Sequence, residues 1–257
     1  MFPPSLALRL CGFHSLEVTR HTVRFPGLDE TLRLVHLTDF HCDAVLTGER
    51  IREVVEQANG LDPDLVVMTG DYATRRTGRT EECVRELARL THRLGIFAVL
   101  GNHDHENGTA MVEALLRAHG IEVLTNRSTR LDNGLWLAGL DDVWEGRPDV
   151  GAAFAGIPEG AVPLLLTHSA IAAPDLPGRP MVALCGDTHG GQVYVPWLTQ
   201  QALPGTRPYI RGWYRRGQRL LFVNRGIGTQ KVPVRFNARP EIAVITLVPA
   251  PAELSLE

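Results

Sequence analysis

Apolar residues recur at helical spacing in three segments of the first half of the chain. Residues 46–58, 80–94 and 109–119 each place apolar side chains on one face, which predicts three amphipathic helices. Thr47 is a suitable N-cap for the first helix, and Gly60 is a suitable end. Short apolar runs precede these segments, so the first half alternates strand and helix, as α/β sheets do.

Short apolar runs separated by glycine and proline make up the second half, after Ile121. This texture predicts a second sheet that is more antiparallel than the first. Two stacked mixed β-sheets flanked by helices, a four-layer αββα sandwich of the α/β class, would bury both sets of strands. The predicted strands of the second half cover residues 135–140, 162–167, 181–185, 192–195, 220–223 and 241–247.

Nothing in the pattern divides the chain, because it contains no repeat, low-complexity block or obvious linker. We therefore predict a single domain over residues 1–257, with an N-terminal extension over residues 1–30 and a core over residues 31–250. A length of 257 residues and a hydrophobic content of 44% are ordinary for one globular unit.

Cysteine usage and the N-terminal residues indicate the compartment. The four cysteines form no CxxC pair, which favours a reducing, cytoplasmic compartment over a disulfide framework. Residues 6–10 are apolar, but the run is short and contains Arg9, so we expect neither a signal peptide nor a membrane span. We expect a cytoplasmic protein, and peripheral contact with a membrane is compatible with the sequence.

Side chains that bind metal ions follow five apolar runs, at the point where each predicted strand ends. In layered α/β folds the ligand crevice lies beyond the carboxyl ends of the strands, so these side chains should converge. Carboxylate, imidazole and amide donors without a thiolate suit manganese, iron or zinc. We therefore expect a metal-dependent hydrolase that binds two divalent ions. The residues, in chain order, are Asp39 and His41, Asp71, Asn102, His103 and Asp104, His168, and Asp187 and His189.

The order of these motifs resembles that of the calcineurin-like metallophosphoesterases. The segment GDTHGGQ at residues 186–192 and the tail over residues 225–241 resemble the YkuE-like bacterial phosphodiesterase branch of that family. The resemblance runs from about residue 32 to the end of the chain. The family pattern D-x-H, G-D, G-N-H-D, H and G-[H]-x-H corresponds here to residues 39–41, 70–71, 101–104, 168 and 186–189.

The resemblance implies a hydrolytic mechanism and a ligand set for each ion. It implies that a hydroxide bridging the two ions hydrolyses a phosphodiester without a phosphoenzyme. His103 would stabilise charge on the phosphoryl or leaving-group oxygen, and Asp104 would orient its imidazole. Manganese is the expected ion, with iron, zinc or magnesium as alternatives. One ion would be held by Asp39, His41, Asp71 and His189, and the other by Asp71, Asn102, His168 and Asp187.

Asp187 departs from the family pattern, which usually has histidine at this position. Aspartate is a legitimate oxygen ligand, but its side chain is shorter than that of histidine and carries a negative charge. We therefore predict that the second ion binds more weakly than the first.

Residues 201–240 form a basic segment that contains nine lysines and arginines and no acid. A positive field beside a metal site would favour an anionic substrate, although a solvated basic face explains the composition equally well. Arg225 and Arg235 are candidates for substrate contact, from the resemblance of the tail alone. No helix-turn-helix, zinc-finger or RNP-type pattern indicates specific binding of nucleic acid.

Five aromatic residues lie in or just before this basic segment. They could stack a nucleobase, rest on an anionic lipid surface or pack within the second sheet. The residues are Tyr194, Trp197, Tyr209, Trp213 and Tyr214.

Two further functions compete with that of a general phosphodiesterase. The first is a pyrophosphatase that acts on a nucleotide-linked lipid precursor such as a UDP-acylglucosamine, bound by the basic and aromatic residues. The second is a non-catalytic metal-binding scaffold whose second metal site is weakened by Asp187. The expected partner is accordingly a phosphorylated small-molecule or lipid substrate.

Overall fold

Two mixed β-sheets carry the fold in the computed structural model, which describes residues 16–74, 78–202 and 209–257. Within these residues the first sheet has seven strands and the second has six. In chain order the strands are β1 (Glu17–Pro26), β2 (Leu32–Leu37), β3 (Leu65–Met68), β4 (Ile96–Ala98), β5 (Glu122–Val123), β6 (Arg127–Arg130), β7 (Trp136–Gly139), β8 (Pro163–Leu166), β9 (Met181–Cys185), β10 (Gly212–Arg216), β11 (Arg219–Val223), β12 (Glu241–Ala250) and β13 (Ser255–Leu256).

Helices lie between the strands and cover the outer faces of the sheets. No helix among the described residues is both long enough and apolar enough to cross a bilayer. In chain order the helices are α1 (Gly48–Asn59), α2 (Thr80–Leu87), α3 (Asn102–Ala118), α4 (Val150–Phe154) and α5 (Pro196–Ala202).

Three hydrophobic clusters separate the layers. The central cluster lies between the sheets and includes Leu34 of β2 and Leu166 of β8. A second cluster joins the outer face of the first sheet to α1, α2 and α3. It includes Val35 of β2 and Val54 of α1. A third joins the outer face of the second sheet to α4, where Ala153 lies. Both faces of the strands are therefore covered, which explains their continuous apolar runs. The predicted sandwich of two mixed sheets flanked by helices is confirmed.

The assignment of the strands to the two sheets differs from the prediction in one respect. The first sheet has the order β13-β1-β12-β2-β3-β4-β5 and the second has the order β10-β11-β9-β8-β7-β6. Two of the six strand pairs in the first sheet are antiparallel, and two of the five pairs in the second, so the second sheet is slightly more antiparallel, as predicted. The difference concerns β12, which covers the strand predicted at residues 241–247 and belongs to the first sheet rather than the second. Sheet membership depends on the connections, and short apolar runs carry no record of them.

Strand β1 belongs to the first sheet and pairs in parallel with β12 along its whole length. Its Phe25 is 1% exposed and lies in the cluster between the sheets. The predicted boundary at residue 30 is therefore wrong, because residues 17–26 are part of the core, as is β13 beyond residue 250. Residues 1–15, which include the apolar run at residues 6–10, lie outside the described residues, as does Arg207.

Helix boundaries were predictable where apolar spacing continues to the end of the helix. Helix α1 has Thr47 at its N-cap position and Gly60 directly after its last residue, as predicted. Helix α2 ends at Leu87, before the predicted end at residue 94. Helix α3 begins at Asn102 rather than residue 109 and is interrupted at Gly108, where φ is 108°. Its first turn is polar, so its start lies outside the apolar pattern.

The predicted strand over residues 192–195 is also wrong. Val193 makes a single parallel bridge to Phe236 there. Gln192 has a left-handed φ of 48°, which interrupts an extended chain. Residues 181–185, in contrast, match β9 at both ends.

Replacing Phe25 tests whether β1 is part of the core. Phe25→Ala should lower the free energy of unfolding by about 3–5 kcal/mol, because it opens a cavity between the sheets. Arg20→Ala, at an exposed position of the same strand, should change that free energy by less than about 0.5 kcal/mol. Urea denaturation of both variants measures the difference, and equally small effects would contradict this placement of β1.

Candidate metal centre

The side chains predicted to bind metal gather beyond the carboxyl ends of five strands. Three of these strands, β2, β3 and β4, run parallel in the first sheet, and β8 and β9 run parallel in the second. Parallel strands place their carboxyl ends on the same edge, so the following loops meet there. Ligand atoms lie within 4.8 Å of one another in three groups, namely Asp39, His41 and His189; His41, Asp71 and His103; and Asp39, Asp71 and His168.

Left-handed backbone turns point these side chains into the cleft. Such a conformation costs a residue other than glycine on the order of 1–3 kcal/mol, so it persists only where its surroundings hold it. The loop after β2 is held in part by the Asp39 amide, which donates to the Gly70 carbonyl at 3.0 Å. The affected residues, with their φ angles, are Asp39 (51°), His41 (46°), Asp71 (59°), Asp187 (75°) and His189 (51°).

Gly101 and Gly186 have no side chain, and donor atoms occupy the space that a β-carbon would fill at each. A β-carbon at Gly101 would collide with Asp71 Oδ1 and would lie 2.8 Å from the His168 ring. A β-carbon at Gly186 would lie 2.5 Å from Asp39 Oδ2. Because real β-carbons do not approach other atoms so closely, only glycine fits at either position. Both glycines therefore leave room for the carboxylate and imidazole donors beside them.

The first donor group is formed by Asp39, His41 and His189 beside Asp71. His41 Nε2 lies 3.0 Å from His189 Nε2 and 3.3 Å from Asp71 Oδ2. His189 Nε2 lies 3.8 Å from Asp39 Oδ1. All four residues are at most 4% exposed. Two imidazoles and two carboxylates thus converge at one buried place.

The second donor group surrounds His168. Its Nε2 lies 3.2 Å from Asn102 Oδ1, 3.4 Å from Asp71 Oδ2 and 3.8 Å from Asp187 Oδ1. Its Nδ1 donates to the Thr69 carbonyl at 2.7 Å. That bond orients the ring and makes Nε2 the atom that would bind a metal ion, as in metal-binding histidines. Asp71 belongs to both groups.

Burial and clustered carboxylates set the electrostatics of the centre. Burial raises the pKa of Asp39 to about 6, and the charges of Asp71 and Asp187 add to this while His168 and His41 oppose it. Burial also disfavours the charged form of His168, but the Asp71, Asp187 and Asp39 carboxylates hold its pKa well above its usual value. The cavity therefore attracts positive charge.

These residues fit a divalent cation. The donor set consists of carboxylate and amide oxygens and imidazole nitrogens, which is the set that such ions prefer. Three groups of these donors have their ligand atoms within 4.8 Å of one another, and the His168 ring is already oriented by the bond from its Nδ1. Asp39, His41, Asp71 and His189 would hold one ion, and Asp71, Asn102, His168 and Asp187 would hold a second.

Asp104 does not orient His103, so that prediction is wrong. Its fully buried carboxylate accepts hydrogen bonds from the amides of Asp71 at 2.7 Å, Gly101 at 2.9 Å and Tyr72 at 3.0 Å. Burial raises the pKa of Asp104 to about 7, with a contribution from Asp71, against the effect of the three amide donors. Asp104 therefore ties the loop after β3 to the start of α3.

His103 has other partners at the edge of the centre. Its Nδ1 lies 3.2 Å from Glu106 Oε2, one turn along α3, and its Nε2 lies 2.6 Å from Gln230 Nε2. The His103 side chain is 12% exposed, and its backbone amide donates to Asp71 Oδ1 at 3.0 Å. Burial lowers the pKa of His103, Asp71 raises it, and the nearby His41 lowers it further.

Arg225 and Arg235, the predicted substrate contacts, are both bonded to protein groups, and their contact with a substrate stays a prediction. The buried Arg235 guanidinium donates to the carbonyls of Gly228 at 2.9 Å, Arg225 at 2.8 Å and Ala238 at 3.0 Å. Arg225 pairs with Glu241 Oε2 at 3.1 Å and with Glu17 Oε2 at 2.9 Å. Both guanidinium groups therefore brace the loops below the centre, because protein acceptors already surround them.

Trp144 is a neighbour of the centre that sequence reasoning missed. Its indole Nε1 donates to Asp187 Oδ2 at 3.2 Å. The loop that carries it follows β7 and is held by Asp142, whose Oδ2 accepts the Trp144 amide at 2.8 Å and the Glu145 amide at 2.7 Å. Asp141 and Asp142 follow a strand end, so the pattern used for the other five strands could have found this loop.

The Asp104 bonds predict a stability effect. Asp104→Asn should lower the free energy of unfolding by about 2–3 kcal/mol, because one amide oxygen replaces a carboxylate that accepts three buried amides. Asp132→Asn, at an exposed position, serves as the matched control and should change stability little. Denaturant titrations of both variants provide the measurement, and equal midpoints would show that the clamp contributes nothing.

Comparison with known proteins identifies the family of this chain. The model of the calcineurin-like phosphoesterase family matches residues 32–156. The uncharacterized metallophosphoesterase YkuE of Bacillus subtilis (strain 168) is 33% identical over 246 residues, which cover 91% of this chain and 86% of YkuE. Phosphodiesterase YaeI of Escherichia coli (strain K12) is 28% identical over 243 residues, which cover 90% of this chain and 88% of YaeI.

A solved structure shares the fold at low identity. NAD nucleotidase (NadN) of Haemophilus influenzae superposes with a TM-score of 0.50 at 13% identity, over 77% of this chain and 45% of the nucleotidase. The family match and the identity to YkuE, together with donors at the ends of five strands, assign the family. This chain is a metallophosphoesterase and belongs to the calcineurin-like phosphoesterases.

Proposed function

We propose that this metallophosphoesterase hydrolyses a phosphodiester at two divalent cations held by the two donor groups. The position of Asp71 carries the proposal, because its Oδ2 lies 3.3 Å from His41 Nε2 and 3.4 Å from His168 Nε2. One carboxylate oxygen between two imidazoles, each with further oxygen donors, suits a shared ligand. When bound, two such cations would polarise the phosphoryl group and acidify the attacking water.

Manganese is the proposed ion. The second donor group contains one imidazole and three oxygen-bearing side chains, which suits a harder ion than zinc. Asp187 offers Oδ1 to this group while Trp144 holds Oδ2. The indole thereby orients an aspartate that reaches less far than the histidine of the family pattern, so we propose that the second ion is the weaker one.

His103 is the proposed proton donor. It lies beside Asp71 and His41, and its Nε2 faces the cleft toward Gln230. A protonated imidazole would donate from Nε2 to the leaving oxygen, while Glu106, beside Nδ1, would stabilise its positive charge. In this proposal Glu106 supports the imidazole, and Asp104 holds the loops that carry it.

A pyrophosphatase acting on a nucleotide-linked lipid is a second candidate, favoured by apolar residues beside the centre. A cavity of about 370 Å³ extends from Asp187 and His189 to Val193 and Val232. An acyl group attached to the phosphate could occupy its apolar end. The scaffold alternative loses support, because a module that only binds metal has no use for an imidazole donor beside the ions.

Metal titration tests the ligand assignment independently of activity. Calorimetric titration of chelator-treated protein with manganese should give two unequal sites. Trp144→Phe removes the indole N–H and should weaken the second site by roughly 10–100-fold. In an Asp187→His background the same replacement should have little effect, because the carboxylate that the indole orients is gone. Two equally tight sites in the unaltered protein would contradict the proposal.

Hydrolysis of bis-p-nitrophenyl phosphate tests the reaction. The manganese-loaded protein should cleave it, and His103→Gln should lower kcat by roughly 10²–10⁴-fold with unchanged metal content. His92→Gln, at an exposed position, is the control and should behave like the unaltered protein. Comparison with a UDP-linked lipid and a phosphomonoester separates the two candidate functions. Cleavage that survives complete removal of metal would exclude both.

A further inference from the structure

Exposed apolar side chains are concentrated on one part of the surface. Eight large hydrophobic side chains are exposed among the described residues, and five of them come from three neighbouring segments. Trp197 is 67% exposed and Phe236 is 55% exposed. We call these five residues the apolar lip; they are Val193, Trp197, Leu198, Val232 and Phe236.

Backbone contacts hold the segments of the apolar lip together. Val193 and Phe236 form a parallel β-bridge, and the Phe236 amide donates to the Gln192 backbone carbonyl at 2.8 Å. Gln192 Nε2 donates to the Val232 carbonyl at 2.9 Å. Helix α5, which carries Trp197 and Leu198, is tied to the same place by Thr199 Oγ1, which donates to the Val193 carbonyl at 3.0 Å. The lip is therefore one surface with a defined shape.

The apolar lip borders the metal centre. Val193 and Val232 line the cavity of about 370 Å³ that also contains Asp187 and His189. A phosphoester bound at the donor groups would therefore have its remaining parts close to exposed apolar side chains. Contact of the lip with a surface would bring that surface to the mouth of the centre.

The segments that carry the apolar lip contribute only positive charges. Residues 188–240 contain no aspartate or glutamate. Lys231 is exposed and lines the cavity, and Arg211 stacks on the Tyr194 ring with 3.8 Å between its guanidinium carbon and the ring centroid. Exposed aromatic and aliphatic side chains beside basic ones suit the interface of an anionic membrane, where apolar groups enter the acyl boundary and cations meet headgroups.

The other aromatic residues of this region do not compete for that role. Tyr209 is 4% exposed and packs edge-on against Tyr214, with ring centroids 5.2 Å apart. Trp213 is half-buried against Phe222 of β11, with ring centroids 4.9 Å apart. These three residues pack on the second sheet, whereas Trp197 faces outward.

We propose that the apolar lip docks on an anionic lipid bilayer and presents the metal centre to phosphoesters at headgroup level. The docking itself is independent of hydrolysis, and only its purpose rests on the proposed function. The apolar side chains that enter the bilayer interface are Trp197, Leu198 and Phe236. The anionic headgroups are contacted by Lys231 and by the exposed Arg239. The substrate class that follows is an amphiphile with its phosphoester at the membrane surface.

Co-sedimentation of the full chain with vesicles tests the docking. Protein should sediment with phosphatidylcholine vesicles that contain phosphatidylglycerol and much less with pure phosphatidylcholine. The double variant Trp197→Ser/Phe236→Ser should lower the partition coefficient by about tenfold or more, because two apolar side chains leave the interface. Lys231→Gln and Arg239→Gln should each lower it roughly fivefold, the change that corresponds to ~1 kcal/mol per basic residue at an anionic surface. Met111→Ser, an exposed apolar position on α3, should leave it unchanged.

Three outcomes would overturn the proposal. Unaltered protein that stays in the supernatant with anionic vesicles would exclude docking. Sedimentation that is equal in the Trp197→Ser/Phe236→Ser and Met111→Ser variants would place membrane contact elsewhere on the chain. Light scattering that shows a dimer disrupted by the same double variant would assign the lip to a second copy. Thermal unfolding of each variant confirms that it is folded, and none of these measurements depends on catalytic activity.

Discussion

A single carboxylate, that of Asp71, links the two halves of the molecule. Its Oδ2 lies 3.3 Å from His41, which follows a strand of the first sheet, and 3.4 Å from His168, which follows a strand of the second. A buried carboxylate is costly unless it is paired, so the loops on both sheets must come within reach of it. Asp104 fixes the position of Asp71 through the Asp71 amide, at 2.7 Å. The spacing of the sheets at this edge therefore depends on two acidic side chains with different tasks.

The centre departs from local backbone preferences where the rest of the fold follows them. The strands that lead to the donor residues are apolar and buried, which is a regular and stable arrangement. The donor residues occupy left-handed turns, and Gly101 and Gly186 allow atoms to approach that a β-carbon would keep apart. Such departures are expected at functional sites, where the surrounding structure supports a geometry that the local sequence disfavours.

The strand ends explain why much of the candidate site could be predicted. Each donor follows an apolar run, and parallel strands bring such positions to one edge, so Asp39, Asp71 and His168 could be grouped without coordinates. The roles of Asp104 and Arg235 could not be read in the same way. Their partners are mostly backbone amides and carbonyls from distant loops, and backbone groups have no identity in a sequence. Strand β1 was missed for a related reason, because charged residues and threonines interrupt its apolar positions.

The place of β12 in the first sheet has a consequence for biosynthesis. It lies between β1 and β2, although more than two hundred residues separate it in sequence from β2. While the chain is still being made, both edges that β12 will fill are unpaired, and one of them belongs to the strand that leads to Asp39 and His41. The nascent protein therefore cannot complete the scaffold beneath its first ligands until β12 leaves the ribosome. Capture of a cation by Asp39 and His41 would then wait for the synthesis of β12.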